Sequence, residues 1–286
     1  MNLQEQLNNT AVSPPEIIED TSKGSQKAEN PGKCLVLTLV RHGQVMFHHA
    51  SSSVIIITFT PQIVKAESNI MRYKSADKSD PLTNRGRCQA EQLGKELSST
   101  HIDHLISSPY LRALDTARAI GRNNTERPDL KPEEDELVIE QDHGPEVDAA
   151  RTSGNGDLEL QLRTGLSPLA SFEFHGAPPR SYCPPGGESL ESVAQRARIA
   201  LLQYLRSRGA SFASMPDSME LGDSVPHAVV VSHNIFLTEF YEAMLFFNNP
   251  SQRYNTPVQW NNASWARFIV FFDGERLEFK IMKQPS

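Results

Sequence analysis

Three short polar stretches of the chain carry side chains that could bind and transfer a phosphate group. They read Arg-His-Gly at residues 41–43, Ser-Ser-Pro at 107–109 with an arginine three residues later, and Ser-His-Asn at 232–234. Each follows an apolar run that is typical of a buried β-strand. Because ligands of open α/β sheets bind at the carboxyl ends of the strands, the three stretches are predicted to converge. The candidate side chains are those of Arg41, His42, Arg112 and His233.

Two arginines and two histidines around one point would form an anion pocket. A guanidinium group presents a fork of donors that matches phosphate geometry. The backbone N–H groups at the start of the helix near Ser108 favour the same anion. Any one of these residues alone is more typical of a surface ion pair, a helix cap or a satisfied core histidine. An anion-binding site is favoured because polar residues follow all three predicted buried strands.

The apolar runs predict strands that alternate with helices. Strands are predicted over 34–40, 104–108 and 227–233, and their continuous apolar character is typical of strands buried on both faces of a sheet. The alternation predicts an α/β fold, a three-layer αβα sandwich with a mostly parallel central sheet. The residues after the third strand are helical, and Asp273-Gly274 between two apolar runs predicts a hairpin.

Capping residues mark the predicted helix starts. Thr83 is the predicted N-cap of a helix within 80–99. Ser108 is the predicted cap of the next helix, with Pro109 at its first position. A further amphipathic helix begins after Ser189.

Composition excludes several classes of function. The 286 residues carry a net charge of −7, which argues against a broad basic surface for nucleic acid or an anionic membrane. Three cysteines without paired spacing indicate a reducing compartment. The N-terminus lacks a signal-peptide pattern, and the apolar runs are too short to span a bilayer. We predict a soluble cytoplasmic protein, with the nucleus as an alternative location, and leave its oligomeric state open.

The predicted organisation is one domain behind a polar tail. Residues 1–32 are rich in Asn, Gln, Glu, Ser and Pro and are predicted to be disordered. Residues 33–286 would form the domain. Within it, 121–187 is the least regular part. Residues 133–148 carry eight acids and no Lys or Arg, which is typical of a solvated loop or face.

Six stretches of the chain occur in an order that is known from one family. They read LVRHGQ, AESN, DPLTNRGRCQAEQLG, SSPYLRALDTA, PPGGESLESV and VVVSHN. Together they resemble the histidine phosphatase superfamily, also called the phosphoglycerate mutase-like family, over roughly residues 34–283. The resemblance implies the phosphoglycerate mutase-like fold and a covalent mechanism that needs no metal or other cofactor.

The resemblance also implies roles for individual residues. His42 would attack phosphorus and form a phosphohistidine, which water then hydrolyses. The phosphoryl oxygens would be held by Arg41, Asn69, Arg112 and His233. Glu140, in VIEQDHG, is the candidate acid that protonates the leaving oxygen. Glu188, in PPGGES, is the alternative acid.

Other positions would shape the pocket. Residues Gly187, Glu188 and Ser189 lie in a loop rich in Gly and Pro, which is typical of a pocket wall. Asn234 stands where the family often has glycine, and a side chain there could narrow the pocket or contact substrate. Residues 145–182, in the region that sets substrate choice in the family, match none of its motifs.

The leading functional prediction is a phosphatase that hydrolyses a phosphomonoester on a small molecule or a phosphoprotein. Phosphoglycerate mutase-type phosphoryl transfer is a second enzymatic interpretation. A non-catalytic phosphate-binding or scaffold protein that keeps the fold is the third.

A stretch of 21 residues, 45–65, separates the nucleophile loop from Asn69 and holds one charged residue, Lys65. In the family the residue equivalent to Asn69 follows the nucleophile within a few residues. A natural insertion, such as a lid or a partner-binding strand, is one interpretation. Because Val codons begin with GT and Lys codons can end in AG, we favour an unspliced in-frame intron. Either way, the insertion would impair phosphate binding, and its uncharged β-prone segment VIIITF would promote aggregation.

Overall fold

The apolar residues that precede His42 form the central strand of a mixed sheet. The computed structural model describes residues 31–45, 79–165, 179–216, 224–252 and 260–283, which belong to the compact unit Pro31–Ser286. The predicted tail lies outside these ranges except for its last two residues, so its disorder stays a prediction. Residues 46–65 of the insertion, and Asn69, also lie outside the described ranges.

Seven strands make up the sheet in the described part of the chain. They are β1 (Gly32–Arg41), β2 (His104–Ser107), β3 (Glu133–Glu134), β4 (Ala210–Phe212), β5 (His227–Ser232), β6 (Trp265–Phe272) and β7 (Leu277–Lys283). Their order is β3-β2-β5-β1-β6-β7, and β4 pairs with β1. Only β4 and β6 run against β1. The prediction of a mostly parallel sheet is confirmed.

Six α-helices accompany the strands within the described ranges. They are α1 (Asn84–Glu96), α2 (Leu111–Asn123), α3 (Pro145–Thr152), α4 (Gly156–Thr164), α5 (Leu190–Arg208) and α6 (Asn234–Leu245). Short 3-10 turns occur at Glu136–Val138 and Pro250–Gln252. Helices α3 and α4 lie within the stretch that the sequence marked as least regular.

Helices cover both faces of the sheet, as alternate residues of β5 demonstrate. Ala228 and Val230 pack in a core with side chains of α5 and α6. Val229 and Val231 pack in a second core with side chains of α1 and α2. Because successive side chains of a strand point to opposite faces, the sheet lies between two helical layers. This confirms the predicted three-layer αβα fold.

Of the two predicted N-caps, the one at Thr83 is confirmed. The Thr83 hydroxyl accepts a hydrogen bond from the Gly86 N–H at the start of α1, and Ser189 accepts one from Ser192 N–H at the start of α5. These bonds satisfy N–H groups that have no partner inside the helix.

The prediction for Ser108 and Pro109 is wrong. Helix α2 begins two residues later than predicted, with Tyr110 at its N-cap and no side-chain capping bond. The Ser108 hydroxyl makes a long-range hydrogen bond instead, to the ring of His233. A capping pattern cannot reveal such a competing partner, because the two residues are far apart in sequence.

Candidate active site

The strand register brings the predicted residues to one edge of the sheet. Arg41 lies opposite Ser232 in the parallel pair of β1 and β5, and Ser107 of β2 lies opposite Val231. Hydrogen bonds continue this pairing beyond the strands, from His42 N–H to the Ser232 carbonyl at 3.1 Å. The ends of β1, β2 and β5 therefore meet, as the sequence predicted.

The four charged or titratable side chains at this edge are nearly inaccessible to solvent. Their exposed fractions are 5% for Arg41, 5% for His42, 2% for Arg112 and 0% for His233. The ring centroids of His42 and His233 are 5.1 Å apart. The guanidinium carbon of Arg112 lies 4.9 Å from the Tyr110 ring centroid, and that ring contacts His233. The structure thus brings all four predicted side chains together.

The ring of His42 is neutral and has one defined tautomer. Burial, and then the charges of Arg112 and Arg41, hold its pKa well below its ordinary value. Its Nδ1 lies 2.6 Å from the Gly43 carbonyl oxygen. Because a carbonyl only accepts hydrogen bonds, Nδ1 must carry the proton. The Nε2 atom then keeps its lone pair.

His233 is neutral for the same physical reasons. Burial lowers its pKa well below the ordinary value, and the positive charge of Arg112 acts in the same direction. Its Nε2 lies 2.8 Å from the Ser108 hydroxyl oxygen. That oxygen also accepts a hydrogen bond from Tyr110 N–H, so the Ser108 proton can be donated to His233.

The loop after the nucleophile is fixed to α1 and α2. Gly43 N–H donates to the Thr116 hydroxyl at 3.1 Å, and Gln44 N–H donates to the Gln89 side chain at 2.9 Å. A side chain on Gly43 would place its Cβ 2.5 Å from the carbonyl oxygen of Gly86. Glycine is therefore required where this loop meets the first turn of α1.

Val45, the first residue of the insertion, belongs to the packed part of the molecule. It forms an antiparallel bridge with Leu82 and is buried against Leu82, Ala90 and Ala119. Val45 and Leu82, which are far apart in sequence, are therefore adjacent in space. The position of Asn69 relative to His42 lies outside the described residues, so its role stays a proposal.

Glu140 lies beside the start of α6, the helix that follows His233. Its carboxylate oxygens accept hydrogen bonds from Phe236 N–H at 3.3 Å and Ile235 N–H at 3.4 Å. Helix α6 has no capping bond from the side chain of its own N-cap, His233. The candidate acid thus caps this helix from a neighbouring loop, at the end that His233 precedes.

Glu188 is engaged elsewhere. Its two carboxylate oxygens accept hydrogen bonds from Nε and Nη2 of Arg196, at 3.1 and 2.7 Å. One guanidinium group thus occupies both oxygens of Glu188. This geometry favours Glu140 over Glu188 as the acid.

The remaining predicted pocket residues have structural contacts. Ser189 caps α5, and Asn234 is the first residue of α6. Gly187 packs so closely on the backbone of His143 that a Cβ would lie 2.6 Å from the His143 carbonyl carbon. The loop 184–188 therefore lies against the loop that carries Glu140.

Sequence reasoning missed several residues that shape the site. The carbonyl of Trp260 accepts a hydrogen bond from the Arg41 guanidinium, and the hydroxyl of Thr116 holds Gly43. Tyr110 packs between His233 and Arg112. None of them follows a strand directly, so the rule of polar strand ends does not find them.

Comparison with known proteins decides the family. The sequence profile of the Histidine phosphatase superfamily (branch 1) matches residues 37–282. The chain belongs to this superfamily. The match includes the regions that carry the two histidines, the two arginines and Glu140.

A curated relative and two solved structures are similar to the chain. Fructose-2,6-bisphosphatase TIGAR of Xenopus tropicalis is 29% identical over 188 residues, which cover 66% of this chain and 56% of that protein. The chain thus spans little more than half the length of this relative. A mycobacterial glucosyl-3-phosphoglycerate phosphatase superposes with a TM-score of 0.57 at 20% identity, covering 89% of this chain and 100% of that one. A phosphoglycerate mutase from Bacillus anthracis gives 0.53 at 18% identity, covering 89% and 94%. The phosphoglycerate mutase-like fold is confirmed.

Two features are absent from the described residues. None of their helices combines the length and the apolar character that a bilayer crossing needs. Within the same ranges, no group of three or more His, Cys, Asp or Glu side chains is arranged to hold a metal ion.

Proposed function

We propose that the protein is a phosphatase that hydrolyses phosphomonoesters through a phosphohistidine. In the first step, the lone pair on Nε2 of His42 forms a bond to phosphorus while the bond from phosphorus to the leaving oxygen breaks. The leaving oxygen takes a proton from the carboxyl group of Glu140. The products are an alcohol and a phosphorylated His42.

The second step returns the enzyme to its starting state. Water attacks the phosphorus, the bond from nitrogen to phosphorus breaks, and inorganic phosphate leaves. Glu140, now a carboxylate, accepts the proton that the water loses. His42 recovers its neutral ring, in which Nδ1 still carries its proton and donates it to the Gly43 carbonyl.

The surrounding hydrogen-bond donors stabilise the negative charge on the phosphoryl oxygens. The guanidinium groups of Arg41 and Arg112 supply positive charge in a site without solvent exposure, where it acts strongly. His233 would donate from Nδ1, because its Nε2 faces the Ser108 hydroxyl. Asn69 would add an amide donor. Since these groups supply the charge, we propose that the reaction uses no metal ion.

One observation carries the proposal. His42 is buried and neutral, and its Nδ1 N–H donates to a backbone carbonyl. It lies in a cluster with two arginines and a second histidine. A purely structural histidine needs neither a free lone pair nor two guanidinium groups beside it. This arrangement favours a nucleophile over a phosphate-binding scaffold.

The substrate class is proposed from chemistry and from the relatives. A pocket of Arg and His side chains suits any phosphomonoester, and two of the three proteins named above are a fructose-2,6-bisphosphatase and a glucosyl-3-phosphoglycerate phosphatase. We propose a phosphorylated small molecule, with a phosphoprotein as the alternative. A cytoplasmic location is part of the proposal and rests on three cysteines that are all unpaired.

The test is to trap the intermediate. Purified protein is mixed briefly with ³²P-labelled phosphomonoester and quenched in alkali, and the label is then challenged with acid. We expect an acid-labile, alkali-stable label that His42→Ala abolishes together with turnover. Label that survives in His42→Ala and disappears in His233→Ala would reverse the two roles. Phosphate binding without label or turnover would favour the scaffold.

A further inference from the structure

Arg196 of α5 donates four hydrogen bonds to described residues in and beside the loop that carries Glu140. Its Nη1 donates to two backbone carbonyls, those of Leu137 at 2.8 Å and Ile139 at 2.9 Å. Its Nε and Nη2 donate to the two oxygens of Glu188. A guanidinium group has five N–H donors, so these contacts use most of them. One side chain thereby binds the residue directly before Glu140.

The partner of this arginine, Glu188, extends the same connection. Its backbone N–H donates to the Asp142 carbonyl at 2.7 Å, and its carbonyl accepts from the Gln141 side chain, also at 2.7 Å. Arg196 and Glu188 together therefore hold the chain on both sides of Glu140. The Glu140 carboxylate itself accepts hydrogen bonds from the backbone N–H groups of Gln141, Ile235 and Phe236.

A third contact joins Arg196 to Phe236, whose backbone N–H donates to the Glu140 carboxylate. The guanidinium carbon lies 5.2 Å from the Phe236 ring centroid, and Phe236 N–H donates to Glu140. The arginine thus touches both the loop that carries the acid and the helix end against which the acid rests.

We propose that Arg196 is a positioning residue for the acid step: with Glu188 it fixes the 137–142 loop so that Glu140 meets the leaving oxygen. This rests on the proposed function. It also explains the role of the Gly- and Pro-rich loop, which supplies the anionic anchor for Arg196 and does not supply the proton. Catalytic groups must be held within a fraction of an ångström of their productive geometry, and about 1 Å of displacement can cost on the order of 100-fold in rate.

The test compares two leaving groups. Nitrophenolate leaves without a proton, whereas an alkoxide needs one, so only alkyl phosphates report on the acid. Arg196→Lys keeps the charge but cannot make the bidentate pair and both carbonyl bonds. We expect kcat/KM for an alkyl phosphate, which covers only the steps up to loss of the leaving group, to fall by about tenfold or more, on the scale of a misplaced acid. For para-nitrophenyl phosphate kcat/KM should change by less than about twofold, and the affinity for inorganic phosphate should stay the same.

Matched variants separate positioning from general damage. Arg198→Lys is the control, because Arg198 lies on the same helix and packs on the Phe247 ring, away from this loop. In the double variant Glu140→Gln with Arg196→Lys, no further selective loss should appear, since the acid is already absent. Glu188→Gln breaks the same pair from its other side and should give the same selectivity. It serves as the test if Arg196→Lys does not fold.

The outcomes are distinct. Three results for Arg196→Lys would overturn the positioning role and leave the proposed function intact. They are equal losses for both substrates, no loss for either substrate, and a loss that adds to that of Glu140→Gln. A Glu140→Gln variant without leaving-group selectivity would instead remove Glu140 as the acid, and this proposal with it. An unmodified protein that turns over neither ester would overturn the proposed function itself.

Discussion

The imidazole rings of His42 and His233 lie edge to face, with centroids 5.1 Å apart and planes inclined at 61°. Burial keeps both rings neutral, but their hydrogen bonds differ. His42 presents Nδ1 to the Gly43 carbonyl, whereas His233 presents Nε2 to the Ser108 hydroxyl. His42 therefore keeps a lone pair at Nε2, and a Ser108 hydroxyl that donates to Nε2 of His233 leaves the proton of that ring on Nδ1.

Ser108→Ala tests how His233 obtains its tautomer. Without the hydroxyl, Nε2 can carry the proton itself, and Nδ1 then loses its ability to donate to a phosphoryl oxygen. We expect kcat/KM to fall by roughly 10- to 100-fold, somewhat less than for a complete loss of an oxyanion donor. The measurement is steady-state kinetics with para-nitrophenyl phosphate.

Ser107→Ala is the control for this change. Its hydroxyl donates to the Ser108 carbonyl and does not bond His233. It should cost a similar amount of stability, about 1 kcal/mol for a lost hydrogen bond, with kcat/KM nearly unchanged. Equal kinetic losses in the two variants would contradict the proposed role of Ser108.

Glu140→Gln should impair poor leaving groups selectively. The amide cannot supply a proton to an alkoxide, so kcat for an alkyl phosphate should fall by about 10²- to 10⁴-fold. For para-nitrophenyl phosphate kcat/KM, which covers only the steps up to loss of the leaving group, should fall far less. Glu136→Gln, an exposed position in the same acidic stretch, is the control and should change neither. A uniform loss in Glu140→Gln would remove it from the acid role.

The sequence predicts the centre of the site because that part depends on local rules. Arg41, His42 and His233 directly follow apolar strands, and the register of a parallel sheet brings such positions together. Thr83 was predictable as a cap for the same reason, since its capping bond spans three residues.

The supporting contacts could not be predicted, because they join distant residues. Ser108 had a plausible local role as a cap, yet its hydroxyl bonds His233, which lies 125 positions away in sequence. Arg196 looked like one more polar residue on an amphipathic helix, but it binds carbonyls nearly 60 positions earlier. Periodicity and capping rules carry no information about such pairs.

A third prediction concerns acid sensitivity and involves a histidine far from the site's chemistry. His227 is buried on β5, where Nε2 lies 2.7 Å from the Thr38 hydroxyl and Nδ1 lies 2.9 Å from the His101 carbonyl. Burial is the main cause that lowers its pKa to about 4, with the positive charge of Arg267 acting in the same direction and the nearby Asp103 opposing it. The ordinary value in the unfolded chain is 6.5.

Stability should therefore decline as the pH falls from 6.5 toward 4. In this window the unfolded chain binds a proton at His227 that the folded protein does not, and each such group contributes a slope of about 1.4 kcal/mol per pH unit. Urea unfolding at several pH values should give a slope lower by about this amount in His227→Gln. An unchanged slope would mean that other groups account for the acid sensitivity, such as His143, whose pKa is lowered to about 3.

The last prediction concerns the insertion, and the packing of Val45 allows a sharper design. Deleting 45–65 joins Gln44 to Ala66, whereas deleting 46–66 removes the same number of residues and keeps Val45. Because Val45 is buried against Leu82, Ala90 and Ala119, the second deletion should be more stable by about 2 kcal/mol, the scale of two buried methyl groups. Urea unfolding of the two proteins measures this difference.

Both deletions should raise phosphatase activity by at least about 10²-fold, because they return Asn69 to within a few residues of the nucleophile loop. Both should also improve solubility, since each removes the uncharged β-prone segment VIIITF. The free energy of unfolding of the 46–66 deletion should equal or exceed that of the full chain. The deletion shortens a long loop, whose closure costs conformational entropy. Activity equal to that of the full chain would identify a tolerated surface insertion. Lower activity would mean that the segment contributes to catalysis, and the intron interpretation would then be wrong.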